Sequence, residues 1–187
     1  MFTSDSQVVL CARNKGHKIS SMSTEQLIYS TAIGAGIPAP VASLMVAQSK
    51  HETANYTSNF FKRYNNAFGY SFVPGAKWQL PEGGTLADNN QKIAAYSSVY
   101  NSTMEMVDWL KRRVNDNTFP PLSTINDPAQ YAFLLKKAGY YGDTLANYSA
   151  ALTRFYNSSI TPGTTENLVL VASIVLAGVT YYIMKDK

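Results

Sequence analysis

The sequence has almost none of the residues from which disulfides and metal sites are built. Cys11 is the single cysteine among 187 residues, so no disulfide can form within the chain and no cysteine-based metal site is available. The two histidines, His17 and His51, lie far apart, and no HExxH pattern occurs. We therefore expect neither a structural or catalytic metal nor a cofactor.

Charged residues are also scarce, at 15% of the chain, and their balance gives a net charge of +4. A positive net charge favours an anionic partner, such as bacterial cell wall, nucleic acid or acidic lipid. No run of five or more lysines and arginines occurs, so a nucleic-acid partner is not expected. The thirteen tyrosines have two alternative roles. Their flat rings and hydroxyls could bind sugars, or they could pack in the core and at its edge.

Apolar residues make up 45% of the chain, enough for one packed domain of ordinary size with an appendage. Residues 1–22 lack an apolar stretch of signal-peptide length and are expected to be an irregular lead-in. Caps, prolines and apolar spacing predict five helices. They are predicted to begin near Glu25, at Pro38 to Pro40, at Ser102 or Thr103, at Asp127 to Pro128 and at Leu145, and to end near Gly34, Glu52, Val114, Gly139 and Tyr156. Two strands, residues 77–80 and 92–97, are predicted to form a small β-hairpin lobe.

The last part of the chain is its most apolar. Residues 157–167 are rich in Ser, Thr, Pro and Gly and are predicted to be a linker. Residues 168–184 hold no charge, and as a helix they would span about 26 Å, at the short end for a hydrocarbon core of about 30 Å. We predict a C-terminal transmembrane helix that binds a lipid membrane, with Tyr181 and Tyr182 at an interface. The alternative is a core helix of the globular domain.

One acidic residue stands at the end of an apolar helix. The segment KHETANYTS places Glu52 there, before the polar and aromatic NNAFGYSF. Burial against an apolar helix end disfavours the charged form of a carboxyl group and raises its pKa toward working pH. This arrangement points to a general acid, as in glycosidic bond cleavage. The alternative is an ordinary helix-end carboxylate paired with Lys50 or His51.

Three longer motifs follow one another over residues 24–156. They are AQSKHETANYTSNFFKRYNNAFGYSF, KIAAYSSVYNSTMEMVDWLKRR and LLKKAGYYGDTLANYSAAL. Together they resemble the glucosaminidase family of lysozyme-like peptidoglycan hydrolases. The resemblance implies a mainly α (α+β) fold: a lysozyme-like helical domain over residues 23–156 with a small β-hairpin lobe, followed here by the predicted transmembrane helix.

The resemblance also implies roles for single residues. Glu52 matches the family's general acid, and Tyr140, at its Gly-Tyr position, would place a phenol near the cleaved bond. The residues expected to bind substrate are His51, Asn66, Phe68, Gly69, Tyr70 and Tyr148. The alternative role of His51 is to orient or pack against a neighbouring residue. The alternative role of Tyr148 is packing or forming a wall of the cleft.

A second catalytic carboxylate is less evident. Family members often carry one in a Thr-Glu-Tyr-like strand of the β-lobe, which this chain lacks; Glu82 and Asp88 are the nearest substitutes. Retaining and inverting mechanisms need carboxyl separations of about 5–5.5 Å and 6.5–9.5 Å, respectively. Without such a partner, the N-acetyl group of the substrate can act as the nucleophile, or the reaction can be that of a lytic transglycosylase.

These observations lead to an expected function. We expect a peptidoglycan hydrolase, an N-acetylglucosaminidase or muramidase-like glycosidase, that cleaves the β-1,4 glycosidic bond of the glycan strand by general acid catalysis. A predicted membrane anchor without a predicted signal peptide suggests an enzyme that is tethered in the virion of a membrane-containing bacteriophage and acts during host entry. The second hypothesis is an enzyme released late in infection to lyse the cell. A non-catalytic structural or wall-binding protein of a virus particle with the same fold is the alternative from another class.

Overall fold

The computed structural model describes residues 22–85 and 91–158, and these fold mainly as α-helices. The helices are α1 (Thr24–Gly34), α2 (Ala39–Glu52), α3 (Asn59–Tyr64), α4 (Val99–Asn115), α5 (Pro128–Lys137) and α6 (Leu145–Ser158), with a 3-10 helix at Leu122–Thr124. The five predicted helices are confirmed. The short α3 and the 3-10 helix are additions to the prediction.

Side-chain caps decide where α1 and α4 begin. The hydroxyl of Ser23 accepts the N–H of Gln26 at 3.2 Å, and the Gln26 side chain accepts the N–H of Ser23 at 2.9 Å, which forms a capping box for α1. The helix α4 begins earlier than predicted because Ser98 caps it. Ser102 and Thr103, where the helix was predicted to begin, are buried residues inside it.

The helix α2 is the centre of the domain. Pro38 and Pro40 begin it, where a missing N–H costs nothing. The ten consecutive residues 41–50 are all buried. The helix packs against α1 and α6, while α5 packs on α6 and α1 packs on α4. Because residues 41–50 are packed in the core, Glu52 at the end of α2 is held at a defined place beside it.

The predicted β-hairpin lobe is wrong. Between α3 and α4 lie the described residues 65–85 and 91–98, here called the α3–α4 loop. Within them the chain forms an isolated antiparallel bridge between Ser71 and Ile93 and no strand. The first predicted strand is a turn, and the second is an extended segment whose backbone partners change from residue to residue.

Side chains bond to several backbone groups of the α3–α4 loop. The buried side chain of Gln79 accepts the N–H of Val73 at 2.8 Å. The amide of Asn66 donates to the carbonyl of Tyr70 at 2.8 Å and to that of Ala94 at 3.1 Å. The carbonyl of Tyr70 also accepts the backbone N–H of Ala94 at 2.9 Å, but such backbone bonds in the described loop form an isolated bridge and no regular ladder. The loop is therefore ordered without being a sheet.

The predicted transmembrane helix and the membrane localisation are also corrected. The predicted span, residues 168–184, lies outside the described residues. Within residues 22–85 and 91–158, no helix has the length and apolarity to cross a membrane. The longest helix, α4, has 17 residues and carries charged side chains, whereas a span needs about 20 apolar residues. The described part of the chain is therefore a helical domain without a membrane-spanning helix. The predicted membrane-anchored virion localisation is wrong.

Candidate active site

Glu52 lies where two cavities meet. The larger cavity has a volume of about 680 Å³ and the smaller one of about 250 Å³. Glu52, Gly69 and Tyr70 line both of them. The two cavities therefore form one cleft with the carboxyl group of Glu52 between its halves.

The two carboxyl oxygens of Glu52 have different surroundings. The hydroxyl of Tyr148 donates a hydrogen bond to Oε1 at 2.7 Å. A Cβ atom built on Gly69 would lie 3.0 Å from Oε2, so the backbone of Gly69 approaches this oxygen closely. Gly69 also has a φ of +67°, which glycine adopts without strain. The position therefore requires glycine for both reasons.

The carboxyl group of Glu52 is an acid tuned to neutral pH. Burial raises the pKa of Glu52 to about 7, while the hydrogen bond from Tyr148 lowers it. The adjacent cation does not compensate, because the ammonium of Lys50 pairs with Glu25 at 2.9 Å. Near pH 7 a large fraction of molecules therefore carries a proton on Glu52, as a general acid requires.

The ring of Tyr148 packs against two aromatic neighbours. Its ring stacks on that of Tyr141, with centroids 3.7 Å apart and planes at 7°, and meets His51 edge to face at 4.9 Å. Burial, followed by the positive charge of Arg154, lowers the pKa of His51, so the imidazole is neutral at pH 7. His51 and Tyr148 are not among the residues that line the two cavities. Tyr148 contacts Glu52 directly, and His51 packs on Tyr148.

Tyr140 lines the larger cavity and supports the NNAFG segment. Its hydroxyl donates a hydrogen bond to the carbonyl of Phe68, and its ring lies edge-on to Trp109 at 5.3 Å. Burial raises the pKa of Tyr140 well above its usual range, so the phenol stays neutral. The phenol is beside the cleft with its O–H bonded to the backbone, and a role at the reacting bond stays a prediction.

The NNAFG segment brings most of the other predicted residues to the cleft. Asn66 closes the turn, because its side chain donates to the carbonyl of Tyr70 at 2.8 Å and accepts the N–H of the same residue at 3.1 Å. Phe68 is 1% exposed and packs its ring into the core. Asn66, Gly69 and Tyr70 line the smaller cavity, and Phe68, Gly69 and Tyr70 line the larger one.

The predicted second carboxylates do not complete the site. Glu82 is exposed and lines neither cavity, and Asp88 lies outside the described residues. Glu105 of α4 lines the larger cavity instead. Its Oε1 accepts a hydrogen bond from the side-chain amide of Gln79 at 2.9 Å, and its Oε2 accepts one from the hydroxyl of Tyr96 at 2.8 Å.

Comparison with known proteins identifies the family. The family model Glucosaminidase, described as mannosyl-glycoprotein endo-beta-N-acetylglucosaminidase, matches residues 27–160, well over half of the 187 residues. The chain belongs to the glucosaminidase family. The resemblance of the three sequence motifs is thereby confirmed, and the family is one of glycosidases.

A similar fold occurs in a solved structure of a type VI secretion system effector–immunity complex from Pseudomonas protegens. The matching chain is 19% identical, with a TM-score of 0.52, and the match covers 72% of this glucosaminidase-family chain and 86% of the other. At this identity the likeness shows the fold alone. No curated protein sequence matches the chain.

Sequence reasoning missed one face of α4 in this glucosaminidase domain. Glu105, Trp109 and Arg112 follow one another at spacings of four and three, so they share a helix face, and all three line the larger cavity. This spacing is the signal that could have identified them. Across residues 22–85 and 91–158, no group of three or more His, Cys, Asp or Glu side chains is placed to hold a metal ion.

Proposed function

We propose that this glucosaminidase-family protein is a peptidoglycan hydrolase that cleaves the β-1,4 glycosidic bond of the wall glycan strand with Glu52 as general acid. The observation that carries the proposal is a carboxyl group with a pKa of about 7 in the middle of an open cleft. The net charge of +4 suits an anionic wall polymer.

The proton to be donated belongs on Oε2 of Glu52. The hydroxyl of Tyr148 already donates to Oε1, whereas Oε2 faces Gly69 and the cleft. Transfer of this proton to the glycosidic oxygen lets the C1–O bond break, and the leaving sugar departs as an alcohol. The remaining carboxylate of Glu52 can then take a proton from the attacking water.

The nucleophile for the first step is best supplied by the substrate. Glu105 is the other carboxylate among the described residues that line the cleft, and both of its oxygens are engaged by Gln79 and Tyr96. We assign it to positioning the α3–α4 loop. The carbonyl oxygen of the substrate's N-acetyl group then attacks C1, and water opens the resulting cyclic intermediate. The second candidate is the lytic transglycosylase reaction, in which a hydroxyl of the same sugar attacks C1. It is supported by the same observation, because both oxygens of Glu105 are already hydrogen-bonded and the reaction needs no second carboxylate.

The test is the full chain on purified peptidoglycan, compared with its Glu52→Gln variant. Glutamine keeps the shape of the side chain but cannot donate the proton, so we expect turnover to fall by more than about 100-fold. The matched control is Glu82→Gln, which neutralises an exposed carboxylate outside both cavities and should retain wild-type turnover. Equal turnover of Glu52→Gln and wild type would remove Glu52 from the mechanism.

Mass analysis of the released fragments separates the remaining candidates. A hydrolase leaves a reducing sugar, whose identity reports which β-1,4 bond is cleaved, whereas a lytic transglycosylase leaves an anhydro-sugar. A wild-type chain that binds peptidoglycan and releases no fragment would support the non-catalytic, wall-binding alternative.

A further inference from the structure

The two halves of the cleft differ in size and in charge. The larger half holds about 680 Å³ against about 250 Å³ for the smaller, and it alone is lined by an arginine, Arg112 of α4. We propose that Arg112 binds a carboxylate carried by a substituent of the glycan strand, so that the larger half selects sugars with a lactyl or stem-peptide group. This proposal rests on the proposed function, since it names the substituent that the same cleft recognises.

Among the residues that the structure describes, no carboxylate pairs with Arg112. Its side chain is exposed, and no carboxylate of the described residues lies within 4.0 Å of its guanidinium. No hydrogen bond joins that guanidinium to another described residue, whereas the neighbouring Arg113 pairs with Asp116 at 3.1 Å. An unpaired guanidinium presents a planar set of donors that matches a carboxylate in a two-point contact.

Glu105 is too far along α4 to be the partner of Arg112. They lie seven positions apart, which is about 10 Å along the helix axis at ~1.5 Å per residue. Both oxygens of Glu105 are also hydrogen-bonded elsewhere. The charge of Arg112 still reaches the cleft floor: burial raises the pKa of Tyr70 well above its usual range, the charge of Glu105 adds to this rise, and the charge of Arg112 opposes it.

The surroundings of Arg112 leave space for a substituent on a sugar ring. Trp109, about one turn away on α4, and the wall segment 138–142 line the same half of the cleft. Gly142 in this wall has no atom within 4 Å of the position of a Cβ, and neither does Gly139, so both border open space. An aromatic ring, a cation without a carboxylate partner in the described part of the chain, and open space together suit a sugar that carries an acidic side group.

The test measures binding to the full chain carrying Glu52→Gln, which is expected not to cleave the glycans. Three tetrasaccharides are compared: an N-acetylglucosamine oligomer without a carboxylate, a denuded peptidoglycan fragment with lactyl carboxylates, and the same fragment with its stem peptides. We expect at least one acidic glycan to bind about 10-fold or more tightly than the neutral one, as one charge-assisted contact provides. Adding Arg112→Gln should abolish this preference, and Arg112→Lys should keep part of it.

The matched control is Lys111→Gln in the same background. This variant removes one positive charge from the adjacent position of α4, where the ammonium contacts the carbonyl of Ala35 in the α1–α2 turn. It should keep the preference, which excludes an effect of net charge alone.

Each outcome is informative. A preference for the denuded fragment alone assigns the lactyl carboxylate, and a preference for the peptide-bearing fragment alone assigns the stem peptide; both support the proposal. Equal affinity for all three glycans, or a preference that survives Arg112→Gln, overturns it. Because binding is measured without turnover, loss of this preference leaves the hydrolase assignment untouched, and an inactive wild-type chain leaves the binding result interpretable.

Discussion

The helix α2 and the α3–α4 loop meet at Glu52, but they are held in place in different ways. In α2 the backbone satisfies its own hydrogen bonds and the apolar side chains of residues 41–47 are buried between neighbouring helices. In the loop, side chains such as Asn66 and Gln79 bond to backbone groups, and Gln79 joins the loop to α4 through Glu105. The acid thus comes from a packed helix, while the surface it faces comes from a hydrogen-bonded loop.

The contact between these two regions should be the most sensitive point of the protein. Gly69→Ala would place a Cβ 3.0 Å from Oε2 of Glu52 and strain a backbone with φ of +67°. We expect peptidoglycan cleavage to fall by about 100-fold, since a displacement near 1 Å can cost that much. Gly36→Ala is the control, because its φ is +83° and its Cβ would meet nothing within 4 Å. If both variants keep full activity, the close approach of Gly69 is not important.

The acid at the end of α2 should lower stability at neutral pH. Glu52 has an ordinary pKa of 4.5 in the unfolded chain and of about 7 in the fold. Between these values the folded state binds more protons than the unfolded state, so stability decreases as pH rises from about 4.5 to 7. At pH 8 the free energy of unfolding of Glu52→Gln should therefore exceed that of wild type by on the order of 2–3 kcal/mol.

At pH 4 the difference caused by the Glu52 proton should vanish. Urea unfolding of the full chain at both pH values measures it, with Glu82→Gln as the exposed control. A constant difference between Glu52→Gln and wild type at pH 4 and pH 8 would contradict the raised pKa.

A single substitution should destabilise the α3–α4 loop and leave the helices folded. Gln79→Ala leaves the N–H of Val73 and Oε1 of Glu105 without this partner, while Oε2 of Glu105 keeps its hydrogen bond from Tyr96. Amide exchange at Val73 should become up to about 10-fold faster, because the N–H loses a hydrogen bond whose net contribution is about 0.5–1.5 kcal/mol. The amide of Leu44 in α2 is the internal control and should keep its protection. Equal loss of protection at both amides would mean that loop and helix unfold as one unit.

The helical frame should respond to capping alone, with the smallest effect. Asp127 caps α5 by accepting the N–H of Gln130 at 2.7 Å. Asp127→Ala should lower the free energy of unfolding by about 1 kcal/mol and leave catalysis unchanged. Asp127→Asn, which keeps the capping oxygen, should restore the stability. A loss of activity in the alanine variant would show that the frame and the cleft are coupled.

The sequence was sufficient where local rules apply. Capping signals predicted the start of α1 near Glu25, the two prolines predicted that of α2, and the apolar spacing after them predicted a buried helix ending at Glu52. The strand prediction failed because the loop is organised by contacts that no short window contains. Asn66 bonds to Ala94, 28 residues away, and Gln79 bonds to Glu105, 26 residues away.

The same limit applies to the cleft. The family motif predicted Gly69 and Tyr70 near Glu52, and the structure brings them together. It gave no sign that His51 packs on Tyr148 or that Glu105 and Arg112 line the larger half of the cleft. Those placements depend on how α4 and α6 pack around α2, which is a property of the assembled domain.

What the sequence by itself determined is the set of helices, the family and the position of one carboxyl group at a helix end, because capping, periodicity and motif spacing act over a few residues. Only the tertiary structure decided the environment of that carboxyl group. Its pKa of about 7, its bond to Tyr148, 96 residues away, and its contact with Gly69 arise from burial, and burial exists only when distant segments pack together.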